Sequence, residues 1–248
     1  MQDAGQRTAH RGIVVSDLHL FARRSRGAAR FENLREALTQ VEVLVLNGDI
    51  FDFRWSTVGD GDRTVAAALD WLGMLAAGLP DCEIHYTVGN HDCTAAFKQG
   101  LASLADALPK FHWNEYLFRL GSRLFVHGDC AQRRMNHDGL IRFRNRWQRD
   151  WQWNPAMARA YECVDRLGIT KRVHQLHFPR RRTVGRIAYY LDSSHPGWRE
   201  TTRDCYFGHT HLPFADYTHD GIRFHNTGSA IHHLGFNPIR FEVTHEAA

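Results

Sequence analysis

Short apolar runs separated by polar, glycine-containing corners set the rhythm of the first half of the chain. Residues 12–16, 43–46 and 83–88 are apolar or β-branched runs of strand length, the pattern of strands buried on both faces. Between them the period changes. Phe31, Leu34, Leu38 and Val41 step at helical spacing, and so do Val65, Leu69, Leu72 and Leu75 in a helix predicted over 64–77, closed by Gly78 and Pro80. A further short helix is predicted over 94–104, while 1–11 reads as a loose tail and 22–30 as a basic loop. Alternating strand and helix predicts a parallel sheet. After residue 115 the pattern turns to hairpins: strands over 116–120 and 123–126 flank Gly121-Ser122. Past a long insertion, strands are predicted over 204–207, 213–217, 222–225 and 239–243. Parallel units first and hairpins last predict an α/β fold of two sheets packed face to face, with helices outside. The whole chain, 1–248, reads as one domain carrying a basic helical insertion at about 130–203.

Composition narrows the setting. Hydrophobic residues make up 43% and charged residues 23%, values ordinary for a soluble globular protein. No apolar run reaches the roughly 18 residues of a membrane span, and the N-terminus lacks a basic-then-apolar signal pattern. A cytoplasmic protein is therefore expected. Its five cysteines (Cys82, Cys93, Cys130, Cys163, Cys205) are odd in number and form no C-x-x-C pair, which predicts reduced thiols.

The net charge of +4 is unevenly placed, and 28 of the 31 basic residues are arginine. Residues 130–200 hold fifteen Lys or Arg against six Asp or Glu, so the rest of the chain is net negative. There Arg142, Arg144, Arg146 and Arg149 interleave with Phe143, Trp147, Trp151 and Trp153, and a second basic group follows at Arg180, Arg181 and Arg182. One reading is a helical lid with solvated arginines around a small aromatic core. The other is a cap that grips an anionic substrate bearing an apolar part, with Arg142, Arg144 and Arg146 as the binding residues. The same composition also suits nucleic acid.

The candidate chemistry lies where the apolar runs stop. Five segments follow short apolar runs: Asp17-Leu18-His19, Gly48-Asp49-Ile50-Phe51-Asp52, Gly89-Asn90-His91-Asp92, His127-Gly128-Asp129 and Gly208-His209-Thr210-His211. In an α/β sheet the carboxyl edge is where ligands bind. Residues i and i+2 of an extended chain point the same way, so Asp17 with His19, and His209 with His211, are expected to reach into one place. With Asn90 and His127 they supply donors for two metal ions, and Asp49 is left to bridge them. Two ions about 3.5–4 Å apart lower the pKa of a bridging water and neutralise charge during in-line attack on phosphorus. Mixed oxygen and nitrogen donors suit Mn, Fe, Zn or Ni rather than a Ca or Mg cage. Asp92 and Asp129 read as supporting or helix-capping residues.

These segments, with Asn226-Thr227-Gly228-Ser229, resemble the motif set of the calcineurin-like metallophosphoesterases over residues 13–229. The resemblance implies a dinuclear metal-dependent hydrolase of phosphoester or pyrophosphate bonds, with manganese the first metal to consider. One ion would take Asp17, His19, Asp49 and His211, and the other Asp49, Asn90, His127 and His209. His91 would protonate the leaving oxygen or contact the phosphate, with Asp52 orienting it. Imidazole suits that task because its pKa lies nearest neutrality. More narrowly, the run Gly48 to Trp55, the run Gly139 to Arg144 and the basic insertion are similar to UDP-2,3-diacylglucosamine hydrolases, which implies a UDP-sugar or lipid-linked substrate and leaves peripheral membrane contact open. His91 departs from that subfamily, which usually has arginine there, and the rest of the insertion matches it poorly. The alternative is a nuclease or cyclic-nucleotide phosphodiesterase on the same scaffold, with salt-sensitive binding through the insertion. A non-catalytic interaction module is disfavoured, since His91 and all seven ligand positions are kept.

Overall fold

Unbroken aliphatic runs become the innermost strands. The computed structural model describes residues 9–149 and 169–244. In it, β1 (Ala9–Val15), β2 (Val43–Asn47) and β3 (Glu83–Thr87) lie parallel, with Val45 placed between Val14 and His85 in the ladder. β2 is buried at all five positions. Its alternate side chains part to the two faces: Leu44 and Leu46 join the layer under the helices, Val43 and Val45 the layer between the sheets. β4 (Phe111–Asn114) adds parallel to β3 at one edge.

The hairpin-forming second half builds the other sheet. Its strands are β5 (Leu117–Leu120), β6 (Arg123–Val126), β7 (Asp204–Phe207), β8 (Phe214–His219) and β9 (Ile222–Asn226), in the order β5-β6-β7-β9-β8. The centre, β6-β7-β9, is parallel, and antiparallel hairpins close both edges. The last strand, β10 (Ile239–Thr244), returns to the first sheet antiparallel to β1. Between the sheets, Phe118, Phe125 and Tyr206 stack in series at 4.8 and 5.0 Å against Val14 and Val45. His85 continues that stack on Phe118, and burial together with His112 pushes its pKa down to about 4.

Helices cover both outer faces. α1 (Gly27–Glu32), α2 (Arg35–Leu38), α3 (Gly61–Gly78) and α4 (Ala95–Ala107) pack on the first sheet. Between β6 and β7 come α5 (His137–Arg149), α6 (Ile169–His177), α7 (Arg180–Ser194) and α8 (Trp198–Thr201). Leu140 of α5, Val184, Ile187 and Leu191 of α7, and Trp198 of α8 pack on Leu124, Cys205 and Phe224 of the second sheet. The result is a helix–sheet–sheet–helix arrangement, the expected α/β architecture. Among the described residues no helix is long and apolar enough to cross a membrane. Cys82, Cys93, Cys130 and Cys205 are buried free thiols; Cys163 lies outside the described residues.

Several boundaries differ from the sequence expectation. The helical spacing of 31–41 yields two short helices, because Leu34 bonds back only three residues, to the Phe31 carbonyl, and breaks the register. α1 also occupies part of the expected loop at 22–30. α3 starts earlier than expected because Asp60 accepts from the Arg63 amide at 2.9 Å, a cap worth about 1 kcal/mol. Thr94, not Asp92, caps α4. The expected tail supplies strand from Ala9, and β4 had no expected counterpart.

Candidate metal centre

Five of the parallel strands release the chain towards one edge of the sandwich. β1, β2 and β3 lead to Asp17, Asp49 and Asn90, while β6 and β7 lead to His127 and His209. There the backbone does something extended chain does not. Asp17, His19, Asp49, His209 and His211 have φ of 51°, 48°, 52°, 59° and 59°. Left-handed backbone at a non-glycine residue costs on the order of 1 kcal/mol, so neighbours must hold it. The Asp17 and His19 amides donate to the Gly48 and Asp49 carbonyls at 3.0 Å each, and the His209 amide donates to the Asp17 carboxylate at 2.9 Å. From the turn after β9, Ser229 Oγ and the Ala230 amide donate to the Asp17 carbonyl. The i, i+2 pairs thus do converge, but through tight left-handed turns rather than the extended geometry expected.

Two glycines let the carboxylates in. A Cβ on Gly89 would stand 2.2 Å from Asp49 Oδ1, and one on Gly208 would stand 2.0 Å from Asp17 Oδ2. Glycine at each position is therefore a condition of the cradle.

The donors form two groups. In the first, Asp17 Oδ1 lies 3.1 Å from His211 Nε2 and 3.8 Å from His19 Nε2, and the two Nε2 atoms are 3.3 Å apart. Those edges suit three donors set around one ion at about 2.0–2.2 Å from each. In the second, Asp49, His127 and His209 each bring a ligand-type atom within 4.8 Å of the others, with Asp49 Oδ2 3.3 Å from His127 Nε2. His127 Nδ1 donates to the Asn47 carbonyl at 3.1 Å, so Nε2 is the nitrogen that would carry the lone pair once the ring loses its second proton. That Nε2 and Asn90 Oδ1 are buried without a hydrogen-bond partner. Orphaned buried donors of this kind are what a bound cation would satisfy, and these residues fit a pair of divalent ions.

Electrostatics agree with the geometry. Burial and the Asp49 charge hold the Asp17 pKa above the usual carboxylate range despite His127 and His19, so the protein's own cations do not neutralise it fully. Asp49, though buried, is held well below that range by His127, His91 and His19. Burial, with His127, takes His209 down to about 3, and burial, with His174 and His19, keeps His211 neutral. Neutral imidazole is the form that binds metal.

Beside the two groups stands a His91–Asp52 pair. His91 Nδ1 lies 3.0 Å from Asp52 Oδ1, and the His91 amide donates to Asp49 Oδ1 at 2.7 Å. Asp52 Oδ2 also meets Arg24 Nη2 at 3.2 Å and His19 Nδ1 at 3.4 Å. Burial opposes protonation of His91, yet Asp52 and Asp49 raise its pKa above the ordinary imidazole value. Asp92 braces the loops instead: it accepts from the Ile50 and Gly89 amides and from Tyr86 Oη.

The expected substrate arginines are not brought together. Arg144 is buried and binds Asp129 through Nε and Nη2 at 2.7 and 3.1 Å. Its other bonds go to the Glu115 and Val88 carbonyls, so its donors are spent inside the protein. Arg142 and Arg146 are exposed, on the side of α5 opposite Leu140 and Arg144, and do not line the opening over the donors. Trp151, Trp153, and the side chain of Arg149, lie outside the described residues. A cavity of about 480 Å³ is instead lined by other cationic and aromatic groups, Arg24, Arg54, Trp55, Trp147 and Phe178 among them. Trp147 packs on His91 at 4.5 Å, Arg54 lies 4.8 Å over Trp147, and His174 stacks on His211 at 4.9 Å. Gln132 Oε1 is 3.1 Å from His209 Nε2. Arg24, Gln132, His174 and Phe178 carry no motif that sequence reading would single out.

The profile of the calcineurin-like phosphoesterase family matches residues 10–233. No curated protein sequence matches the chain. Among solved structures, the chain is similar to a phosphopantetheinyl hydrolase from Mycobacterium tuberculosis, with 12% identity, a TM-score of 0.44 and 88% of this chain and 89% of that one covered. It is also similar to a phosphoesterase from E. coli, with 16% identity, a TM-score of 0.38 and 89% and 80% covered. A dimetal phosphatase from Danio rerio shares 12% identity at a TM-score of 0.42, with 96% and 99% covered.

Proposed function

The chain belongs to the calcineurin-like phosphoesterase family, and from that premise we propose a division of labour for its hydrolysis of phosphoesters: Asp17, His19, Asp49 and His211 hold one divalent ion, and Asp49, Asn90, His127 and His209 hold the other. The observation that carries this reading is the pair of donor groups at one edge, one of them a triangle of 3.1, 3.3 and 3.8 Å. Two divalent ions bound there supply an activated water and offset phosphoryl charge. We propose manganese first; iron, zinc and nickel share the same donor preference.

The chain's own residues do the rest. His91 offers a proton from Nε2 to the leaving oxygen, while Asp52 accepts from Nδ1 and keeps the ring charged. Arg24 also holds Asp52, at 3.2 Å. Trp147 packs on the imidazole and screens it from water.

For the substrate, the lining of arginines and aromatic rings supports a phosphate joined to an aromatic or apolar group. A UDP-linked acylated sugar belongs to that class. Arg24 and Arg54 then take the phosphate-binding place first expected of Arg142, Arg144 and Arg146. Metal analysis of the purified protein, with p-nitrophenyl phosphate, bis-p-nitrophenyl phosphate, a UDP-linked acylated sugar and single-stranded DNA as substrates, tests the reading. Two equivalents of metal are expected, with activity lost to chelator and kcat/KM highest where the ester carries an apolar group. Tight, salt-sensitive DNA cleavage with no action on any UDP-sugar would replace the substrate class with nucleic acid.

A further inference from the structure

A second grouping of metal-type donors lies apart from the strand-end cradle. Glu83 and His85 are i and i+2 on β3, so both side chains leave the same face of the sheet. His112 is the direct neighbour of His85 in the parallel ladder with β4. One ligand-type atom from each of the three lies within 4.8 Å of the other two. β4 is an edge strand, so the grouping opens at the border of the sheet. Glu83 starts β3, at the end opposite the one leading to Asn90 and His91.

His85 is the fixed member. It is 8% exposed, and its ring is clamped between Phe118, 4.9 Å away at 7°, and His112, 4.9 Å away at 28°. Its Nε2 is buried without a hydrogen-bond partner and lies 3.6 Å from Glu83 Oε2. A buried ring nitrogen left unsatisfied is costly unless something binds it. The hydrolytic chemistry makes no use of it. Glu83 at the start of β3 and His112 on the edge strand are both reached from solvent, while His85 is held in place.

We infer that Glu83, His85 and His112 form a third metal site that takes a zinc-class divalent ion. Two imidazoles and one carboxylate favour Zn²⁺ over Ca²⁺ or Mg²⁺, and three protein ligands leave a position for water. The ion clips β3 to β4 at the sheet edge. Its effect is on stability and not on turnover, because β3 lies between this site and the reacting groups.

The test counts metal. Protein with its catalytic pair loaded is dialysed against a series of fixed free Zn²⁺ concentrations, and total metal is measured by elemental analysis. Three equivalents are expected in the wild type and two in Glu83→Gln and in His112→Ala, with phosphoesterase activity within about twofold of wild type in both. A parallel melting series should show Tm rising by roughly 5–10 °C at Zn²⁺ a hundredfold above its Kd, with the rise lost in both variants. A wild-type total of two across the whole zinc range overturns the inference. So does a third equivalent that persists in both variants. Either result leaves the catalytic reading untouched, since that reading rests on the other two equivalents.

Discussion

The strand-end cradle and the helical cover above it are built on opposite terms. In the cradle, five of the seven donors are fixed by backbone: a strand stops, the chain turns left-handed at Asp17, His19, Asp49, His209 or His211, and a neighbouring loop's groups lock the turn. In the cover, side chains reach the cavity from helix faces, and which face looks inward is set by packing on the second sheet. Leu140 and Arg144 turn towards the protein, so Arg142 and Arg146 turn away. On the proposed reading, chemistry belongs to the backbone-fixed region and choice of substrate to the helical cover.

Substitutions separate the two regions. Asp49→Asn strikes the cradle where both half-sites meet. It should abolish stoichiometric metal binding and lower turnover of every substrate by at least roughly 10²–10³-fold. Two retained equivalents with near wild-type turnover would show that Asp49 is no bridge. His91→Ala should cost about 10²–10⁴ in kcat on alkyl phosphate esters while leaving the metal count alone. The loss should shrink on p-nitrophenyl esters, whose leaving group hardly needs a proton; equal losses on both would argue against proton donation.

The cover should answer differently. Arg144→Ala leaves Asp129 buried and unpaired, so equilibrium unfolding should report about 3–5 kcal/mol less stability. Arg142→Ala and Arg146→Ala should stay within about 0.5 kcal/mol. Comparable losses in all three would mean that α5 buries Arg142 and Arg146 as well as Arg144. A subtler effect concerns protons. Burial lowers the His127 pKa, but Asp49 and Asp17 prevail and raise it to about 10. Below that pH the ring holds a proton that a metal must displace, so loading should release protons. Apparent affinity should fall about tenfold per pH unit for each proton displaced. Calorimetry in buffers of different ionisation enthalpy would detect it, and a buffer-independent heat would exclude it. Smallest of all, Trp147→Ala should raise KM about 2- to 10-fold for esters with an aromatic or apolar group and hardly affect methyl phosphate.

This contrast explains what could be read from the sequence. Asp17, His19, Asp49, Asn90, His127, His209 and His211 each follow a run whose strand character is local, so one-dimensional pattern carries to three-dimensional place. Convergence is legible in the i, i+2 spacing, although left-handed turns and not extended chain bring it about. Arg144 is not separable from Arg142 and Arg146 in the sequence, because a single helix holds both the buried and the exposed arginines and only its packing partner decides between them. β4 is not legible because Phe111-His112-Trp113-Asn114 has no clear alternation and takes its state from pairing with β3. Arg24 lay in a stretch that looked like any basic loop until Asp52 gave it a partner.

The five left-handed turns also limit which residues the cradle can use. Asn, Asp and His are the non-glycine residues that tolerate this conformation best, and they are also good metal donors. Backbone and coordination therefore select the same short alphabet at Asp17, His19, Asp49, His209 and His211. A glutamate would keep the charge of Asp17 or Asp49 but bring a longer stem to a turn that disfavours it, and a glycine would relax the turn but carry no donor. Substitutions conservative by charge alone are thus poor replacements at these positions, and the range of tolerated residues should be narrower there than at Asn90 or His127, where φ is ordinary.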